Sequence, residues 1–202
     1  MQRASRRSVL ATTLLFGGLL VTTSAAALEQ GAARAFIADL ADETTTVLTS
    51  NLPQSERRER ITALLEEGFD LPFIARLVLG PTYRSLTPEQ QQAYTAAFER
   101  FVLATYGRRF DDYSGQRLIV VDAAPEGQQD VRVRSRVEGG GQPTLGIDWR
   151  VRDRGGELRI IDVAVEGVSM TITQRNEFNA VVQREGIDGL IAMLQDRTAA
   201  AS

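Results

Sequence analysis

The chain has no cysteine, no histidine and no lysine; all 23 basic residues among its 202 are arginine. Each absence removes a class of chemistry. Without cysteine no disulfide can brace the fold, so packing alone must hold it. Without histidine there is neither a Ser-His-Asp triad nor an imidazole metal site, and without lysine neither a phosphate-loop lysine nor a Schiff base. Long apolar runs are missing as well. The stretch from Val9 to Val21 is 13 residues long, short of the roughly 20 helical residues that a bilayer core requires.

That stretch has a different reading. Arg3, Arg6 and Arg7 precede it and Ser24-Ala25-Ala26-Ala27 follows it, which is the layout of a positive n-region, an apolar h-region and a small-residue cleavage site. Residues 1–27 are therefore expected to be a cleaved export signal rather than a membrane anchor. Ser5-Arg6-Arg7-Ser8-Val9-Leu10 also looks like a twin-arginine motif. Removal of residues 1–27 takes away three arginines and no acid, leaving 20 arginines against 26 acids, a net charge of −6. No basic stripe of the kind a phosphate backbone demands is visible, so nucleic acid is not an expected partner. Residues 28–202 suit one domain with its own core.

The apolar period changes once along this domain. Ala33, Phe36, Ile37, Leu40, Ala41, Thr44, Val47 and Leu48 recur at three and four residues, which predicts an amphipathic helix ending near Pro53. A second helix is expected from Ser55 to Gly68 and a short apolar one from Leu71 to Leu79, closed by Gly80-Pro81. Thr87-Pro88-Glu89-Gln90 reads as an N-cap, a proline at the first helical position and a capping-box glutamine, opening a long helix through Tyr106. From about Arg117 the period falls to two. Leu118–Val121, Val131–Val137, Thr144–Arg152 and Glu157–Thr173 read as four strands separated by glycine-rich turns, hence an antiparallel meander. Val131, Val133 and Val137 alternate with Arg132, Arg134 and Arg136, and Leu145, Ile147, Trp149 and Val151 with Arg150 and Arg152. One sheet face is therefore apolar and must be covered by helices, while the other is charged. Thr173 is expected to cap a penultimate helix, separated by Gly186 from a last one. Helices first and a four-stranded sheet second make an α+β fold, NTF2-like in class.

Catalytic arrangements are sparse. Ser169 lies in Gly167-Val168-Ser169-Met170-Thr171, which lacks the final glycine of a nucleophile elbow and has no histidine to activate it. Asp162 and Glu166, four apart on an expected strand, share one face; pairing with strand arginines is the favoured role, acid-base or cation work the other. No metal site, cofactor or catalytic residue is assigned. The arginines at 132, 134, 136, 150 and 152 form a solvated face and the best surface for an acidic partner.

Several segments together resemble the MlaC family of soluble phospholipid carriers, the toluene-tolerance auxiliary components. They are Leu79-Gly80-Pro81-Thr82-Tyr83-Arg84 with its continuation to Gln90, Phe98 and Tyr106 on the long helix, Trp149 in its strand, and Asp162-Val163-Ala164-Val165-Glu166-Gly167-Val168-Ser169-Met170. Tyr83 stands where the family more often has tryptophan. The resemblance implies a periplasmic carrier that holds acyl chains in an apolar pocket and passes phospholipid between an outer-membrane complex of MlaA type and an inner-membrane ABC transporter with an MlaD-type subunit. It implies large apolar lining residues from several elements: Phe73, Leu77, Val78, Phe98, Phe101, Val102, Tyr106, Ile147, Trp149, Val163, Val165 and Met170, with Tyr83 and Arg84 at the mouth. Loops at Gly68–Leu71 and Gly80–Pro81 would hinge the short helix for release. Two other readings stand beside it: an NTF2-like enzyme with Asp162 or Asp148 as general base, and an adaptor whose interior is filled by its own side chains.

Overall fold

The computed structural model describes residues 23–201. Of the expected export signal only the backbone of 23–27 falls within them, as the start of the first helix. That helix, α1 (Thr23–Leu48), is followed by α2 (Gln54–Gly68), α3 (Leu71–Leu79), the single turn α4 (Pro81–Arg84) and α5 (Pro88–Gly107). A 3-10 turn over Arg108–Phe110 leads into the sheet: β1 (Arg117–Glu126), β2 (Asp130–Glu138), β3 (Leu145–Asp153), β4 (Leu158–Val165) and β5 (Val168–Ser169). Helix α6 (Met170–Ala201) closes the chain.

Local capping chemistry sets the helix starts. Asp70 Oδ1 accepts the Phe73 N–H at 3.0 Å ahead of α3, and Pro72 costs nothing where the N–H would be unpaired anyway. At α5 the capping box is complete: Thr87 Oγ1 accepts from the Gln90 N–H at 3.3 Å while Gln90 Oε1 accepts from the Thr87 N–H at 3.2 Å. Thr87→Ala is expected to lower stability by about 1 kcal/mol, read as an earlier urea midpoint with an unchanged slope.

The sheet is antiparallel throughout, in the order β1-β2-β3-β4-β5. It has five strands where the sequence reading expects four. The run taken as one strand from Glu157 to Thr173 turns back at Glu166-Gly167, whose φ angles are 49° and 76°; two positive φ values are what a two-residue hairpin loop favours. Val168 then pairs with Val165, and α6 starts at Met170 rather than after Thr173. Its first turn is capped by Ser169, whose Oγ accepts the Ile172 N–H at 3.1 Å. The two expected C-terminal helices are the halves of α6, broken at Gly186, whose φ of 72° and ψ of −176° are open to glycine almost alone.

Alternation along the strands divides the sheet as expected. Val131, Val133 and Val151 are buried beneath Ala33 and Ile37 of α1, and the arginines face outward. That outer face is largely neutralised: Arg134 pairs with Asp122, Arg136 with Glu138, and both Arg150 and Arg152 with Asp130. A second core joins α3, α5 and α6 around Ala75, Val78, Tyr94, Phe98, Phe178 and Leu190. The buried Tyr94 hydroxyl donates to the Ala75 carbonyl at 3.1 Å, and burial pushes its pKa up.

Candidate functional site

Between the two cores the interior opens into a cavity with two lobes. The first, about 370 Å³, lies between α1, α2 and the inner face of β1 to β3, against Ile37, Leu40, Thr44, Leu48, Leu64 and Leu118. The second, about 350 Å³, lies between α3, α5, the start of α6 and the strands β3 and β4. Leu65, Phe69, Arg109, Phe110, Ile147 and Trp149 border both.

Polar groups on these walls are mostly spent locally. Thr44 and Thr45, which line the first lobe, donate their hydroxyls to the carbonyls of Leu40 and Ala41 one turn back at 2.7 and 2.9 Å, leaving their methyl groups to the cavity. Trp149 Nε1–H donates to Ser135 Oγ at 2.8 Å, and that hydroxyl donates to the Ile147 carbonyl at 3.0 Å. The indole is held as the floor between the lobes, with Phe69 edge-on at 6.5 Å. Such a lining suits hydrocarbon, which requires apolar contact without unpaired donors.

Ten of the twelve residues expected to line the pocket meet in the second lobe: Val78, Phe98, Phe101, Val102, Tyr106, Ile147, Trp149, Val163, Val165 and Met170; the other two and the pair expected at the mouth do not. Four stand elsewhere. Phe73 is on the outside of α3, where the Arg76, Arg152 and Arg154 guanidinium carbons lie 5.8, 5.1 and 4.9 Å from its ring centre. Leu77 is one position from Val78 and so about 100° around the helix; its carbonyl takes the Arg175 Nε–H at 3.1 Å. Tyr83 packs edge-on against Tyr94 at 6.3 Å, with its hydroxyl 3.4 Å from Thr95 Oγ1, away from the cavity. Arg84 is exposed beside it. Arg109 and Phe110 border both lobes, and α1 and α2 wall the first; the sequence reading singled out none of them as lining. The stripe Ile37-Leu40-Ala41-Thr44-Leu48 was visible, but at helical spacing it does not distinguish a core face from a cavity wall.

The two carboxylates singled out on β4 are both engaged by neighbouring donors. Asp162 borders the second lobe, but Oδ1 accepts the Val163 and Thr171 N–H groups at 2.9 and 3.1 Å and Oδ2 accepts the Ser169 hydroxyl at 2.6 Å. It thus organises the β4–α6 junction. Glu166 is in the hairpin loop, not on the strand, and its Oε1 accepts the Gly146 N–H. Neither pairs with a strand arginine among the described residues. Asp148 sits opposite Arg134 on the outer face. No described group of histidine, cysteine or acidic residues is placed to hold a metal ion.

Residues 38–196 match the family model of the MlaC protein. The chain belongs to the MlaC family. A curated relative, the toluene tolerance protein ttg2D of Pseudomonas putida, is 26% identical over 186 residues, 87% of this chain and 86% of that protein. The intermembrane phospholipid transport system binding protein MlaC of Haemophilus influenzae is 26% identical over 130 residues, 62% of this chain and 61% of that protein. Among solved structures, the fold is similar to the phospholipid-binding protein from Ralstonia solanacearum, determined in complex with a phospholipid, with a TM-score of 0.72 and 23% identity over 84% of this chain and 98% of that one.

Proposed function

We propose that this protein is a phospholipid carrier that binds acyl chains in the two-lobed cavity and moves lipid between membranes. The observation that carries the reading is the cavity itself: two apolar lobes of about 370 and 350 Å³ with a shared aromatic floor, in a chain of the MlaC family. Exposing hydrocarbon to water costs about 0.8 kcal/mol per CH₂, so a chain of roughly a dozen methylenes needs on the order of 10 kcal/mol of shelter. Two lobes that meet along one wall match a lipid with two chains on one glycerol. In this reading residues 1–27 direct export to the periplasm, and the carrier exchanges lipid with an outer-membrane complex of MlaA type and an MlaD-type subunit of an inner-membrane ABC transporter. The mature chain is not an enzyme in this reading: Asp162, the carboxylate that borders the second lobe, is occupied by three hydrogen bonds.

The test is mass spectrometry of organic extracts from the natively purified protein. About one phospholipid per chain is the expected result. Protein that carries no lipid, and takes none from phospholipid vesicles, would favour the adaptor reading instead.

A further inference from the structure

A third concavity adjoins the cavity. It is an open groove of about 510 Å³ between the end of α5, the 3-10 turn and both halves of α6, and Arg108, Arg109 and Arg197 are its charged lining. It meets the second lobe along Phe101, Tyr106, Arg109 and Gln174, which border both. Arg109 borders the first lobe too, and is the one described residue common to all three spaces.

The three arginines are not equivalent. Arg197 is engaged by Glu177 at 2.6 Å, and Arg108 donates to the Ala200 carbonyl at 3.2 Å. Arg109 is exposed, its guanidinium carbon 5.2 Å from the centre of the Tyr106 ring, and no described carboxylate pairs with it. Gln174, on the boundary between groove and lobe, has its side-chain carbonyl oxygen buried without a hydrogen-bond partner. A guanidinium that no described carboxylate neutralises thus sits where hydrocarbon space gives way to water.

We propose that this groove is the head-group site, with Arg109 as the ligand of the lipid phosphodiester. The inference rests on the carrier reading and adds to it the anionic group recognised. A guanidinium matches a phosphate in both charge and geometry. Its place at the junction of both lobes is where the glycerol of a two-chain lipid would put the phosphate.

The experiment offers the full-length protein vesicles of a diacyl phosphatidylglycerol mixed with the diacylglycerol of the same chains, and counts each bound lipid by native mass spectrometry. Arg109→Ala should lower the ratio of phospholipid to diacylglycerol about fivefold, as an exposed charge pair allows. Arg109→Glu should lower it further, and Arg109→Lys should keep it within about twofold. Arg132→Ala, an equal charge change on the outer sheet face, should leave it unchanged. High salt should bring the parent protein towards the Arg109→Ala ratio. If Arg109→Ala and Arg109→Glu, with parental melting temperatures, keep the parental ratio, the assignment fails while the carrier reading stands. If the parent takes up neither lipid, the carrier reading fails and this inference with it. Inorganic phosphate alone should give no adduct; one that Arg109→Ala abolishes would make the groove a free-anion site and overturn the lipid assignment.

Discussion

Val102→Trp is expected to weaken lipid binding more than tenfold while leaving the lipid-free protein as stable as its parent, or up to about 2 kcal/mol more stable. Val102 is half-buried on α5 and faces the second lobe beside Phe98, Phe101 and Tyr106. In a filled interior the added indole would cost about 1–3 kcal/mol through off-rotamer packing. Here it has about 350 Å³ in front of it, so the same bulk gains contacts. Lipid loses what the indole gains: displacing only two methylenes costs about 1.6 kcal/mol at about 0.8 per CH₂, which is already more than tenfold in affinity. Lipid counts per chain and melting temperatures of lipid-stripped samples check the two halves. Stripping matters, because a ligand bound only to the native state raises the apparent stability of the parent. A variant that melts earlier and still holds lipid would show Val102 to face packed interior.

Asp130→Ala is expected to cost about 1–2 kcal/mol at neutral pH, between the value of an exposed ion pair and that of a buried one, because the arginines left behind stay partly exposed. The Asp130 side chain is 2% exposed and receives Arg152 Nε at 2.5 Å and Arg150 Nη2 at 2.6 Å. Burial alone would raise its pKa, but the hydrogen bonds and charges of the two arginines outweigh it and hold the carboxyl below the usual aspartate range. Because the folded value lies below the unfolded value of about 3.9, this contribution is complete above the unfolded pKa and is lost as pH falls through the folded one. Urea unfolding should therefore show the full gap between parent and variant at pH 7 and a smaller one at pH 3. A gap that does not change with pH would mean that Asp130 contributes through packing and not through its charge.

What the sequence disclosed was mainly local. Thr87-Pro88-Glu89-Gln90, Leu71-Pro72 and Gly80-Pro81 mark helix ends because capping and proline geometry act within four residues, and these ends are where they were expected. Valine-arginine alternation disclosed the two faces of β2 and β3 for the same reason. The hairpin at Glu166-Gly167 was hidden by apolar residues on both sides, which made β4, β5 and the start of α6 read as one strand. The cavity was legible as a set of residues rather than as a shape: ten residues from five elements converge, but which way α3 and α5 turn is decided by contacts far apart in sequence. Tyr83 shows this most plainly. Its segment carries the family resemblance, yet Tyr94 and Thr95 draw its ring to the other side of α5. The hinge expected around α3 meets a similar obstacle, since Arg175 and Tyr94 fasten the carbonyls of Leu77 and Ala75.

The Arg175 brace also bears on how the molecule assembles. Every strand pairs with its neighbour in sequence, so the sheet can zip up one short loop at a time with little chain entropy lost per step. Arg175 and Leu77 are 98 residues apart, and their meeting joins α3 to α6 across the span of chain that holds α5 and the whole sheet. Closing a loop of that length costs more chain entropy than any turn of the sheet, so the wall that α3 and α6 give the second lobe is the most costly closure among the hydrogen bonds described.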